Sequence, residues 1–131
     1  MVAYNFKKQF APLVESWEKR QTIRANGKRR HARPGDALQL YTGQRTKHCR
    51  KLIADNPICY EVVPIRMQKV SVHEDTSYIL RIGCIRIDVD GQIIAPMQVH
   101  QLAKADGFES TEKFLAFFAD RLPFEGVIIK W

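Results

Sequence analysis

Apolar and polar positions alternate along this chain in two rhythms. Val2 to Phe6 reads as a short strand, and Phe10, Leu13, Val14 and Trp17 then recur at helical spacing. That spacing predicts a helix from about Lys8 to Trp17 with its apolar stripe in the core. Gln21 to Arg24 reads as a strand. Arg33-Pro34-Gly35-Asp36 is a tight turn leading into a strand from Ala37 to Tyr41, and Thr42-Gly43-Gln44 turns the chain again. Arg45 to Leu52 is a basic strand candidate, broken by Asp55-Asn56-Pro57. Ile58 to Val72 is strand-like, with Pro64 predicting an edge position or a bulge.

The second half continues the pattern. Between Tyr78 and Val89, Leu80, Ile82 and Cys84 keep one phase of alternation and Ile85, Ile87 and Val89 the other, so a β-bulge is expected at Gly83. Asp90-Gly91 is a hairpin turn returning through Gln92-Ile93-Ile94. Pro96 to Ala105 reads as a helix with Met97, Leu102 and Ala103 inward, ended by Asp106-Gly107. Ser110 is an N-cap for a further helix, with Glu112 in its first turn. Phe114, Phe117, Phe118 and Leu122 form its buried stripe together with Phe108. Pro123 stops it, and Gly126 to Trp131 is a closing strand. About six short strands and two or three helices predict an α+β domain, a small curled sheet or barrel flanked by helices. Residues 1–131 read as a single domain without repeats or linkers.

Composition narrows the setting. The chain has 131 residues, 45% of them hydrophobic, and a mean hydropathy of −0.31, enough to bury a core in a soluble domain. No apolar run approaches the ~20 residues that span a bilayer, and the first residues lack the pattern of a secretion signal. Three cysteines, an odd number without metal-like spacing, are expected as free thiols in a reducing cytoplasm. His31, His48, His73 and His100 are scattered, so neither a metal nor a cofactor is expected. The net charge of +7 favours an anionic or nucleotide-like partner. Oligomeric state leaves no mark in the sequence.

Candidate chemistry is concentrated between Trp17 and Arg33. Lys19 three residues before Thr22 can supply a hydroxyl nucleophile and its activator. Thr22 and Arg24 share a strand face, which Lys19 joins only if the chain bends and the strand begins near Gln21. The loop from Ala25 to Arg33 carries Lys28, Arg29, Arg30, His31 and Arg33 with no acidic residue. It reads equally as a solvated charge run or as an anion-binding loop.

Lys19-x-x-Thr22-x-Arg24, Pro34-Gly35-Asp36 with its following strand, and Asp106-Gly107-Phe108 with the helix after Ser110 occur in the order seen in ASCH-domain proteins, a branch of the PUA-like superfamily, and the chain resembles that family over its whole length. The family signature is Gly-x-Lys-x-x-Thr-x-Arg. Trp17 stands at its glycine, where a bulky ring would reshape the pocket beside Lys19. The resemblance implies a PUA-like small β-barrel with helices around it. It also implies an amidohydrolase that removes the acyl group from N4-acylated cytosine or cytidine, of the N4-acetylcytidine type, through Lys19, Thr22 and an acid. Asp106 is the best position for the acid, with Glu109 and Glu74 as fallbacks. Trp17, Arg20 and Arg24 are the substrate-binding candidates.

Amide hydrolysis needs a nucleophile, a proton shuttle and stabilisation of the tetrahedral oxyanion. Lys19 serves as a base only if burial or neighbouring cations such as Arg20 and Arg24 pull it below its usual ~10.4. The alternative is a charged Lys19 facing the oxyanion, with Asp106 as base toward a water that Thr22 orients. Arg24 has a structural reading as well, an ion pair with a carboxylate such as Asp36. The rival to the enzyme is an RNA-binding module, acting through Lys28–Arg33 and Arg45–Lys51, or a ribonuclease using the same lysine.

Overall fold

The computed structural model describes residues 1–70 and 84–131. Among these, eight strands and three helices form an α+β domain. In chain order they are β1 (Val2–Phe6), α1 (Ala11–Glu15), β2 (Gln21–Ala25), β3 (Leu38–Thr42), β4 (Arg50–Lys51), β5 (Glu61–Lys69), β6 (Ile85–Val89), β7 (Gln92–Ile93), α2 (Pro96–Ala105), α3 (Thr111–Ala119) and β8 (Phe124–Lys130). The segment holding Glu74, His73 and the Gly83 bulge position lies outside the described residues.

The strands form two sheets, ordered β1-β3-β4 and β2-β8-β5-β6-β7. β1 and β3 run parallel with Tyr4 opposite Leu40, and both send alternate side chains into the core. In the larger sheet the last strand, β8, is central, antiparallel to β2 on one side and to β5 on the other. The segment 57–60 links the two sheets. There the Leu38 N–H donates to the Pro57 carbonyl at 2.8 Å and the Tyr60 N–H to the Lys130 carbonyl at 3.0 Å. Among the described residues no strand ladder closes the sheets into the expected barrel.

β5 is not an edge strand, but Pro64 stands just before its pairing with β6 begins, so the β6 side of the strand is a local edge there. β5 is paired with β8 from Glu61 to Met67 and with β6 from Ile65 to Lys69. The Pro64 carbonyl accepts from the Asp90 N–H at 2.9 Å. The proline nitrogen lies on the same side of the strand, at the end of the β6 ladder, where no donor is required. The Asp90-Gly91 turn is as expected, with φ of 52° and 79°, the signature of a tight hairpin.

Three expectations need correction. The first helix is shorter than Lys8–Trp17 because Pro12 sits at its start and Trp17 adopts φ 65°, which ends it. Trp17 is 43% exposed rather than core. Of the basic strand Arg45–Leu52 only Arg50–Lys51 is extended. Upstream, Arg45 has φ 66° and the Thr46 hydroxyl donates to the Gly43 carbonyl at 2.6 Å, which curls the chain into turns. On α2, Met97 is 68% exposed rather than inward; Val99 and Ala103 are buried, and Leu102 packs partly buried against the core.

The helices close over one end of the larger sheet. Ser110 caps α3 by accepting from the Lys113 N–H. Phe114 and Phe118 then point inward, joining Phe10, Phe108, Phe117 and Phe124 in a chain of edge-to-face and tilted rings 5.1–6.2 Å apart. That aromatic cluster is one wall of the candidate site.

Candidate active site

The bend anticipated before Thr22 is present. Trp17 in the left-handed region turns the chain out of α1, and the Lys19 N–H donates back to the Leu13 carbonyl at 3.0 Å. β2 starts at Gln21, so Lys19 enters from the turn while Thr22 and Arg24 come from the strand face. All three line one cavity of about 720 Å³, along with Asp106 and the rings of Phe6, Phe10, Phe108, Phe117, Phe118 and Phe124.

Lys19 is 2% exposed and Asp106 5%. The Lys19 Nζ donates to the Asp106 backbone carbonyl at 2.5 Å and lies 3.1 Å from Asp106 Oδ1. It also sits 4.9 Å from the Phe10 ring centre. Asp106 is the residue at the end of α2, so the lysine caps a carbonyl at the negative end of the helix. Gln21 Nε2 reaches the same carboxylate oxygen at 3.5 Å, a buried supporting contact that the strand pattern did not single out.

Two close approaches make this pairing possible. Gly107 has φ 93°, and a Cβ there would stand 3.1 Å from both Lys19 Cδ and Phe10 Cδ1. Gly126, opposite Ala25 in the sheet, lies under the Arg24 carbonyl, 2.1 Å from where a Cβ would be. A side chain at Gly126 would push β2 off β8.

Burial sets the electrostatics of the pair. It pulls Lys19 below the usual lysine range, partly offset by the Asp106 charge. It pushes Asp106 above the usual carboxylate range, partly offset by Lys19. The two shifts have opposite sign, so they narrow the gap between the ion pair and the neutral amine–acid pair relative to water. Arg24 also lowers Lys19. Arg20, expected to share that role, is exposed and lies 5.7 Å from the Trp17 ring instead.

The Arg24 guanidinium donates through Nε to Thr22 Oγ1 at 2.9 Å and through Nη2 to the Asn5 carbonyl at 2.8 Å. It lies 4.9 Å from the Phe6 ring and 5.2 Å from the Tyr4 ring. Asp36, offered as its partner, pairs with Arg30 at 3.2 Å. Because Thr22 Oγ1 accepts a charged donor, its own proton is left to give, and negative charge on the oxygen is favoured.

The structure thus brings together Lys19, Thr22, Arg24 and Asp106. It leaves out Trp17 and Arg20, whose side chains do not line the cavity, so the Trp17 ring does not reshape the pocket as expected. Glu109 is exposed and ion-paired with Lys113, which holds it below the usual carboxylate range, and it too lies off the cavity. Asn5, Asn26, Lys7 and Arg121 line the cavity without having been anticipated. Among the described residues no group of three or more His, Cys, Asp or Glu could hold a metal ion. No protein-family model, curated protein or solved structure matches this chain, so the site is interpreted from its own chemistry.

Proposed function

We propose that this protein is an amidohydrolase that removes the acyl group from N4-acylated cytosine or cytidine, within an ASCH-type, PUA-like fold. The observation that carries this reading is the buried Lys19–Asp106 pair facing the same cavity as the Arg24-bound Thr22 hydroxyl. A volume of about 720 Å³ suits a nucleoside, and phenylalanine rings offer faces on which a pyrimidine stacks. The resemblance gains support from Trp17, whose φ of 65° is the left-handed conformation that a glycine at that signature position adopts without cost.

The chemistry follows from the charges. Lys19, with its proton handed to Asp106, takes the proton of Thr22 as Oγ1 attacks the acyl carbon. The new oxyanion forms beside the Arg24 guanidinium. The carbon–N4 bond then breaks, and the Lys19–Asp106 pair returns a proton to the departing N4 amine. Water cleaves the acyl-threonine by the same route in reverse, releasing the carboxylic acid. A pure binding module has no evident need for a desolvated lysine–aspartate pair beside a hydroxyl in one cavity.

The test is incubation with N4-acetylcytidine and chromatography of the products. Cytidine and acetate in equal amounts, lost in Lys19→Ala, are expected. No turnover of any N4-acylcytosine, or full activity in Lys19→Ala, overturns the reading.

A further inference from the structure

A second cavity, about 880 Å³ in volume, adjoins the first. Asn5, Arg24 and Ala25 line both, so the two share a wall. The second is lined by the basic loop, with Lys28, Arg29, Arg30 and His31, and no acidic residue lines it.

This loop is not a loose charge run. His31 is held at both ring nitrogens, by the Tyr4 hydroxyl at 3.1 Å and the Ala25 carbonyl at 2.8 Å. The Ala32 N–H donates to the same hydroxyl at 3.0 Å, the Asn26 N–H to the Glu125 carbonyl at 2.9 Å, and Arg30 pairs with Asp36. The loop is tied down on both sides of Lys28 and Arg29, which are exposed and make no ion pair among the described residues. Two cations so fixed beside a cavity lose less entropy on meeting an anion than cations on a free loop.

We propose that the second cavity holds phosphate attached to the nucleoside whose base occupies the first, so that the substrate is a nucleotide rather than a free nucleoside. This rests on the amidohydrolase reading above. Arg24 sits at the junction, where the ribose of a bound nucleotide would bridge the two spaces. Phosphate on Lys28 and Arg29 accounts for a charge surplus that the deacylation chemistry leaves unused. The phosphate belongs either to a mononucleotide or to a single strand containing the modified base.

Four substrates decide it: N4-acetylcytidine, its 5′-monophosphate, its 3′-monophosphate and a short oligoribonucleotide carrying one N4-acetylcytidine. The phosphorylated forms are expected to exceed the nucleoside in kcat/KM by about tenfold or more at low salt, as screened phosphate contacts do. In Lys28→Ala/Arg29→Ala that ratio falls toward one. Removing the same charge at Lys47 and Lys104, outside both cavities, leaves the ratio in place. If the oligonucleotide outruns both monophosphates the phosphate source is a strand, and if it does not the source is a mononucleotide. Equal turnover of all four by the native chain overturns the proposal and leaves the amidohydrolase standing. If nothing is turned over, that reading falls, and binding of a fluorescent oligoribonucleotide decides the phosphate site separately. Affinity lost in the double variant, with the salt slope reduced by about 1.4, supports the site, and no binding or no change removes it.

Discussion

Lys19 and Asp106 lie 87 residues apart in sequence, and the lysine ammonium contacts both the backbone carbonyl and the carboxylate of the aspartate in a buried site. The carbonyl contact fixes the lysine to the end of α2 whatever the charge state, so the carboxylate contact is left to respond to protonation. Removing one partner strands the other. Lys19→Met is expected to destabilise the fold by roughly 3–5 kcal/mol, and Asp106→Leu by a similar amount. The double variant is expected to be closer to the native stability than either single change, because an apolar pair needs no compensation. Urea melts of the four proteins form the cycle. Additive losses would show that the two groups do not interact.

The same pair sets a pH dependence of stability. In Lys19→Met, Asp106 keeps its desolvation and loses the cation that restrained it, so its folded-state affinity for a proton rises further. A carboxyl raised on folding contributes stability that is complete below its unfolded value of ~3.9 and is lost as pH rises through the folded value. The variant is therefore expected to be less stable at pH 8 than at pH 5, relative to the native protein at each. Paired melts at these two values check the sign, and Lys19→Met/Asp106→Leu should lose the trend.

Activity should follow a bell. The pair works while it carries a single shared proton. The acid limb of kcat/KM is expected above the ordinary carboxylate value of ~3.9 and the alkaline limb below the ordinary lysine value of ~10.4, both belonging to the pair rather than to one residue. In Asp106→Asn the shared proton is gone and Lys19 must lose its own proton to act as base, so the bell should give way to a single limb that rises with pH, with a residual rate. A flat profile in the native protein across this range would exclude proton shuttling by the pair.

Thr22→Val removes the hydroxyl at nearly constant shape. The Arg24 contact is lost at a cost of about 1 kcal/mol, while turnover is expected to fall by at least ~10³. Thr22→Ser should keep a substantial rate. Rapid-quench mass spectrometry of the native enzyme should reveal an acylated Thr22 peptide. Its absence together with an active Thr22→Val would assign the attack to water.

Gly107 and Gly35 form a matched pair of substitutions. Both have φ near 95°, at 93° and 96°, but only at Gly107 would a Cβ meet neighbours, Lys19 and Phe10. Each alanine is expected to cost at least about 1 kcal/mol from backbone strain. Only Gly107→Ala should also reduce kcat, by displacing the lysine stem. Assays well below the melting temperature separate the two effects.

Much of this arrangement was legible locally. The bend before Gln21, the strand holding Thr22 and Arg24, the helix from Pro96 to Ala105 and the Asp106-Gly107 stop all follow from short-range spacing and turn chemistry. The meeting of Lys19 with Asp106 depends on how α2 docks, and no local pattern encodes that. Gln21 looked like an ordinary strand residue because its role exists only once the carboxylate lies beside it. Trp17 misled for a related reason. Its spacing fits a helix stripe, yet its backbone had already left the helix. The central place of β8 was hidden because sequence order does not give strand order.

Arg24 provides the last test, because it serves two structures at once. Its Nε holds the Thr22 hydroxyl of β2, in the larger sheet, while its Nη2 holds the Asn5 carbonyl of β1, in the smaller sheet. A lysine keeps the charge but has one compact ammonium in place of a planar fork, so it cannot reach both acceptors with the same geometry. Arg24→Lys is therefore expected to lower kcat by about 10²–10³, as loss of one preorganised donor at an oxyanion does, with a smaller change in KM. The acid and alkaline limbs should stay near their native positions, since the Lys19–Asp106 pair keeps its contacts. The nucleoside and its phosphorylated forms should lose rate by similar factors, which distinguishes this residue from Lys28 and Arg29. Guanidinium ion in the assay should restore part of the activity of Arg24→Ala. A variant that loses KM alone, or that responds to added guanidinium no more than the native chain does, would reassign Arg24 to holding the two sheets together.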